Sequence, residues 1–206
     1  MKQEVTVQDL ERLASDARES VWVQAEQYDR EPKIYLHWSA GHYHQTSDHY
    51  HVNITGDGKI YLTLPLDEPG QGTWKRNTGA INLAIDGCWD AGSNGLGTEP
   101  PTAAQIENMA QVIAAIANGL WLTIDKAHVM THGEAANNED GYYGAHQPYA
   151  WWNDSYGDGD TRGDLEYLGT AESPVYNPWA TDGTRGGDVL RGKANWYANL
   201  WKGESA

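Results

Sequence analysis

The chain has 206 residues, a length that suits one domain with its own hydrophobic core. Its 29 acidic residues outnumber the 14 basic ones, and the net charge of -15 argues against a nucleic-acid partner, because a protein that binds phosphates needs a basic surface. The same charge argues against electrostatic attachment to a membrane, and the single cysteine, Cys88, excludes an intrachain disulfide and a multi-cysteine zinc site.

The first residues lack the basic and then apolar pattern of a signal peptide, and no apolar run is long enough to span a bilayer. We therefore expect a soluble protein that is made in the cytoplasm and needs another route for any export. The aromatic residues are 10 Trp and 12 Tyr, with no Phe. Rings with a polar edge suit a surface that stacks on sugars, and they equally suit a core that braces long loops.

The first predicted elements are a helix and a strand. Apolar residues recur at helical spacing over residues 7–28, Thr6 is a plausible N-cap, and Pro32 follows the end of this helix. The β-favouring run over residues 33–37 then predicts a strand that ends at His37. A side chain at a strand end is held rigidly and still meets an open loop, which suits a metal ligand or a catalytic group.

Three further strands are predicted before the middle of the chain. Residues 50–55 and 59–64 form a hairpin around the glycine turn at 56–58, and residues 80–86 alternate, with isoleucine and leucine on one face. The loop at 41–49 is polar and resembles the rim of a site. It carries three histidines that suit substrate contacts better than metal ligation: His42, His44 and His49.

The second half of the chain begins with the clearest helix. Thr102 opens it with a capping-box pattern, and Gly119 lies near its end. Residues 127–131 predict a short buried strand that ends at His132. A long segment without periodicity follows at 133–160, and a loop of this length is usually functional.

A last helix is predicted over residues 188–200. Its expected inward-facing residues are Val189, Leu190, Trp196 and Leu200. Strands and helices interleave along the chain, and at least one pair of strands is a hairpin. The sequence therefore predicts an α/β domain with a mixed central sheet flanked by helices.

His132 repeats the sequence context of His37, and two histidines at strand ends can meet at one edge of a sheet. Asp164 offers a third ligand, and a catalytic zinc site keeps three protein ligands and leaves one position for water. The spacing has no local signature, so alternatives stay open at this point. Asp164 also fits an N-cap or an ion-pair partner, and His128 or His146 fits in place of His132.

Five segments, taken in order, resemble the zinc-dependent N-acetylmuramoyl-L-alanine amidases, which share the fold of peptidoglycan recognition proteins and phage amidases. They are YLHWSA at 35–40, YHVNITGDGKIY at 50–61, NTGAI at 77–81, PTAAQI at 101–106 and THGE at 131–134. The resemblance covers roughly residues 33–168. It implies a single amidase domain over residues 1–206, with a helical extension at 1–31, a catalytic core at 32–170 and a helical elaboration at 171–206.

The resemblance implies a role for each matching residue. His37, His132 and Asp164 take the positions of the three zinc ligands, so that Zn²⁺ is the implied cofactor. Tyr50 matches the active-site tyrosine of the phage-type amidases. Arg162 lies two residues before the third ligand, where the family often has a lysine that steadies developing negative charge.

The resemblance leaves the general base open, because Ala84 stands where many bacterial members carry a glutamate. Glu134, the carboxylate nearest to His132 in sequence, is a candidate base and equally fits a structural carboxylate at a helix start. Asp86 is a weaker candidate. The chain also has Leu-Glu in place of the family's usual Pro-Gly after the third ligand, and its segment at 137–160 is longer than usual.

The implied activity is hydrolysis of the amide bond between N-acetylmuramic acid and the L-alanine of the stem peptide. The substrate is peptidoglycan or a muropeptide, and the protein is a phage or prophage lysin or a bacterial wall hydrolase. Without a signal peptide, it acts on the wall after release by a holin or another route, or in the cytoplasm as a recycling amidase. Two alternatives remain: a non-catalytic muropeptide-binding module of the same fold, against which Asp164 argues, and an unrelated aromatic-rich sugar-binding protein without zinc.

Overall fold

The computed structural model of the chain describes residues 1–73, 75–136 and 163–204. Its strands are β1 (Gln3–Glu4), β2 (Lys33–Trp38), β3 (Val52–Ile54), β4 (Ile60–Leu62), β5 (Ala80–Ile85) and β6 (Val129–Thr131), and its helices are α1 (Val7–Glu26), α2 (Ala103–Leu120), α3 (His132–Ala136) and α4 (Gly186–Glu204). The six strands of these ranges form one sheet in the order β1-β4-β3-β5-β2-β6. The predicted α/β class with a mixed, helix-flanked sheet is confirmed. No helix in the described ranges is both long and apolar enough to cross a bilayer.

The centre of the sheet is parallel. β2 pairs in parallel with β5 on one side and β6 on the other, and β5 pairs in parallel with β3. β3 and β4 are antiparallel and form the predicted hairpin. The predicted apolar face of β5, with Ile81, Leu83 and Ile85, packs in the main core, while the opposite face buries Asn82, and Asp86 is buried directly after the strand. This second, polar face of the sheet is the one on which the candidate site lies.

Helices α1 and α2 begin where the sequence predicted. Thr6 caps α1 and Thr102 caps α2, and in both cases the threonine side chain and the third helical residue bond each other's backbone N–H. The two helices share the main core with the apolar face of the sheet. They approach closely at Gly119, where a Cβ atom would lie 2.6 Å from both the Ala14 Cβ and the Glu11 carbonyl oxygen.

The prediction for the packed face of the last helix was wrong at two residues. Trp196 and Leu200 were expected to face inward, and they are 59% and 40% exposed. The buried face of α4 instead carries Leu190, Arg191 and Ala194. Trp196 follows Ala194 by two positions and therefore lies on the other side of the helix. A small residue and a charged residue occupy the buried face, which a search for large apolar side chains overlooks.

Candidate metal centre and active site

His37, His132 and Asp164 come together at one end of the parallel strands. Each residue offers one ligand atom, and these atoms all lie within 4.8 Å of one another. Asp164 Oδ2 is 3.0 Å from His37 Nδ1 and 3.4 Å from His132 Nδ1, and the two imidazole rings meet edge to face at 4.9 Å. All three side chains are buried. Two imidazoles and one carboxylate are a donor set that binds catalytic zinc.

The parallel pairing of β2 with β6 explains why the two histidines meet. Leu36 on β2 pairs with Thr131 on β6. His37 and His132 each follow this last pair by one residue, so they lie side by side where the pairing of the two strands ends. His132 is also the first residue of α3, and Asp164 comes from the segment that precedes α4. The sheet therefore holds two donors, and a loop supplies the third.

A hydrogen-bond network that starts on β5 sets the orientation of His37. His37 Nε2 lies 2.8 Å from Asn82 Oδ1, and Asn82 Nδ2 donates to Asn77 Oδ1 at 3.0 Å. Asn77 Oδ1 also accepts the backbone N–H of Thr73 at 2.9 Å. This second contact fixes Asn77 as the acceptor, so the amide oxygen of Asn82 must face His37. His37 Nε2 therefore carries a proton, and in the neutral imidazole Nδ1 presents its lone pair to Asp164.

This arrangement fits a metal ion. In the neutral imidazole the lone pair of His37 Nδ1 faces a carboxylate oxygen of Asp164 at 3.0 Å, and a bound metal ion would satisfy both of these donor atoms. Burial lowers the pKa of His37 against the opposing effect of the Asp164 carboxylate, and a lowered pKa favours the neutral imidazole that binds metals. Metal-binding histidines typically donate their other ring N–H to an acceptor, as His37 does to Asn82. The residues therefore fit zinc, with His37, His132 and Asp164 as donors.

Tyr50 lies beside the cluster. Its ring centroid is 5.1 Å from that of His37, and it belongs to the turn before β3. The next residue, His51, is buried: its Nδ1 accepts the Asn82 backbone N–H at 2.9 Å, and its Nε2 donates to the Glu68 carbonyl at 2.7 Å. Burial lowers the pKa of His51 to about 4. His51 is therefore a neutral structural residue next to Tyr50.

The candidate base Glu134 lies in a buried ion pair. Arg191 donates to its Oε1 at 2.9 Å and to its Oε2 at 3.0 Å, and the Thr131 backbone N–H donates to Oε1 at 2.9 Å. Burial acts to raise the pKa of Glu134, but the hydrogen bonds and charge of Arg191 bring it below its usual value. A carboxylate held in this way is a weak base. These contacts favour the structural interpretation of Glu134, the second of the two that the sequence left open.

The remaining sequence candidates lie away from this donor set or outside the described part of the chain. Arg162 and His146 fall outside the described residues. His128 lies within hydrogen-bond distance of two exposed carboxylates and is not one of the three clustered donors. Asp86, directly after β5, is buried, and among the described residues its carboxylate has no hydrogen-bond partner. Burial raises the pKa of Asp86 to about 8.

Sequence reasoning missed Asn82 as a residue of the site. Its signal was present, because Asn82 is a polar residue on the second face of a strand whose first face is apolar. What the sequence does not show is that β5 neighbours β2, with Asn82 paired with Tyr35, two residues before His37. Only this register brings the amide of Asn82 to His37.

Comparison with known proteins identifies one matching family and several solved structures of low sequence identity. The family model for N-acetylmuramoyl-L-alanine amidases matches residues 14–146, a stretch that includes His37, Tyr50 and His132 but ends before Asp164. No curated protein matches the chain.

Three solved structures show low similarity. The Ph2119 endolysin from Thermus scotoductus MAT2119 bacteriophage Ph2119 is 20% identical, with 51% of this chain and 73% of that chain covered and a TM-score of 0.41. The endolysin N-acetylmuramoyl-L-alanine amidase LysCS from Clostridium intestinale URNW is 19% identical, with 51% and 71% covered and a TM-score of 0.39. Drosophila PGRP-LB is 19% identical, with 56% and 78% covered and a TM-score of 0.38. The family assignment rests on the family model, which matches well over half of the chain: the chain belongs to the N-acetylmuramoyl-L-alanine amidase family.

Proposed function

We propose that this chain is a zinc-dependent hydrolase that cleaves the amide bond between N-acetylmuramic acid and L-alanine in peptidoglycan. The observation that carries the proposal is the buried cluster of His37, His132 and Asp164 in a member of the amidase family. We further propose that residues 1–206 work as one domain, as a phage or prophage lysin or a bacterial wall hydrolase.

The chemistry follows from the donor set and its neighbours. Bound zinc supplies a Lewis acid that polarises the amide carbonyl and lowers the pKa of water. His37, His132 and Asp164 would hold the ion and leave one position open. Tyr50, whose ring adjoins that of His37, would donate a hydrogen bond from its hydroxyl to the negative charge that develops on the carbonyl oxygen. Arg162, which matches the position of the family's charge-steadying lysine, would stabilise the same charge.

The first test is the zinc content of the purified protein. Wild type should hold zinc in a 1:1 ratio, and His132→Ala should lose it because one of three donors is gone. His128→Ala is the matched control, since it removes a histidine that lies outside the cluster. Wild type that neither contains nor takes up zinc would disprove the proposed mechanism.

The second test follows the products formed from purified peptidoglycan. Cleavage at the proposed bond releases stem peptides with a free L-alanine amine and creates no new reducing sugar ends. Tyr50→Phe should keep its zinc and slow this release by about 100-fold, because it loses only a hydroxyl donor. Zinc binding together with undetectable peptide release would instead identify a non-catalytic muropeptide-binding module.

A further inference from the structure

Helix α4 lies outside the segment that the family model matches, which ends at residue 146. It nevertheless contacts both segments that carry the second and third donors of the cluster. Two arginines make these contacts: Arg185, just before the helix, and Arg191, in its second turn. Both side chains are buried.

Arg191 binds the segment that follows His132. Its guanidinium forms the bidentate ion pair with Glu134 that is described above. It also donates to the Val129 carbonyl at 2.9 Å and to Asp188 Oδ1 at 2.7 Å. Glu134 lies in α3, two residues after His132, and Val129 lies on β6, three residues before His132. One side chain of α4 therefore holds the chain on both sides of the second donor.

Arg185 binds the segment that follows Asp164. Its Nε donates to Glu166 Oε2 at 2.9 Å, and its Nη2 is 2.8 Å from the same oxygen. Glu166 lies two residues after Asp164. The Thr131 hydroxyl donates to the other oxygen of Glu166, while the Thr131 backbone N–H donates to Glu134. Thr131 thereby joins the two ion pairs into one buried network.

The backbone at the start of α4 supports the same role. Leu165, directly after the third donor, has a φ of 59°, a left-handed conformation that is unfavourable for a bulky side chain. The Gly186 N–H donates to the Glu166 carbonyl at 2.9 Å, and a Cβ at Gly186 would clash with the Leu165 carbonyl. A Cβ at Gly187 would clash with the carboxylate that Arg191 binds. Glycine at both positions lets α4 approach the turn and hold it.

We propose that Arg185 and Arg191 are positioning residues of the metal centre. Through their glutamate partners they fix the two segments that present His132 and Asp164. Helix α4 then helps to position the donors of the metal centre. This inference rests on the proposed function, because it concerns the zinc site proposed above.

The test compares zinc affinity among full-length variants by competition with a chelating indicator. Arg191→Lys and Arg185→Lys keep a positive charge but lose the planar guanidinium, which in Arg191 binds both carboxylate oxygens of Glu134 and in Arg185 directs two nitrogens at one oxygen of Glu166. Each should weaken zinc binding by about 10- to 100-fold, the range for residues that orient metal ligands. Lys193→Met is the matched control: it removes an ion pair between α4 and Glu107 on α2, where the two atoms are 2.6 Å apart, and should leave zinc affinity unchanged.

Cobalt substitution separates positioning from general stability. The visible absorption of bound Co²⁺ reports ligand geometry, so its bands should shift in both arginine variants and stay unchanged in Lys193→Met. Thermal unfolding of the metal-free proteins identifies any variant that does not fold. If one arginine variant does not fold, the zinc affinity and the cobalt spectrum of the other arginine variant test the proposal.

Two results would overturn the inference, and they are distinguishable. Folded arginine variants with wild-type zinc affinity and wild-type cobalt spectra would overturn the positioning role alone. Wild type without zinc binding would overturn the proposed function as well.

Discussion

Asn82 determines which nitrogen of His37 faces Asp164 and the proposed metal position. Its amide oxygen accepts from His37 Nε2, and its amide nitrogen is committed to Asn77. The uncharged side chain of Asn82 thus orients the imidazole of His37, the candidate metal ligand. The effect belongs to a single residue, because it depends on one acceptor atom at one position of β5.

The first prediction concerns Asn82→Ala. Without the acceptor, His37 can rotate or take the other tautomer, so zinc affinity should fall by about 10-fold or more. Affinity can be measured by competition with a chelator. Asn53→Ala is a matched control, because Asn53 is also a buried strand asparagine, and its side chain bonds to Ser47 and Thr63. Both variants should lose stability, and equal zinc affinities in the two would contradict the prediction.

Elements with strong local signals were predictable from the sequence, and short elements were not. α1 and α2 have capping boxes and long apolar stripes, so their starts at Val7 and Ala103 follow from local chemistry. β1 has two residues and α3 has five, and neither has enough periodicity to be recognised. These short elements exist because the rest of the fold supplies their partners.

The candidate site divides in the same way. The positions of His37 and His132 could be predicted because each follows a strand-forming run. Neighbouring parallel strands bring such ends together at one edge of the sheet. The partners of Glu134 and Glu166 could not be predicted, because Arg191 is 57 positions from Glu134 and Arg185 is 19 positions from Glu166. Such separations match no local sequence pattern, and these pairs form only because α4 packs beside β6 and α3.

The second prediction tests the contact between two elements, α1 and α2. Gly119→Ala places a methyl group 2.6 Å from Ala14 and from the α1 backbone, so the helices must separate. The free energy of unfolding should fall by about 1 to 3 kcal/mol, as measured by denaturant titration.

Gly192→Ala is the control for this helix contact. Gly192 is exposed within α4, and a Cβ there meets nothing within 4 Å. Alanine is the better helix former, so this variant should be more stable than wild type by about 0.5 to 1 kcal/mol. A loss of stability in Gly192→Ala similar to that in Gly119→Ala would show that the helix contact is not the cause.

At the scale of the whole molecule, a chain with a net charge of -15 also buries carboxylates on the polar face of its sheet. Burial raises the pKa of Asp86 from 3.8 to about 8. Between these two pH values the folded state keeps a proton that the unfolded state has released. The stabilising contribution of protonated Asp86 is therefore full below pH 3.8 and is lost as the pH rises toward 8.

The third prediction follows from that sign. Asp86→Asn cannot ionise, so its stability relative to wild type should increase between about pH 5 and pH 9, by roughly 4 kcal/mol at most. Denaturant titration of both metal-free proteins at the two pH values measures this difference. His51, whose pKa burial lowers to about 4, destabilises the fold as the pH falls below 6.5, but it is present in both proteins and cancels. Asp16→Asn, which replaces an exposed carboxylate on α1, is the control for the loss of one negative charge. If Asp86→Asn and wild type respond equally to pH, the Asp86 carboxylate is already ionised in the fold and must be solvated there.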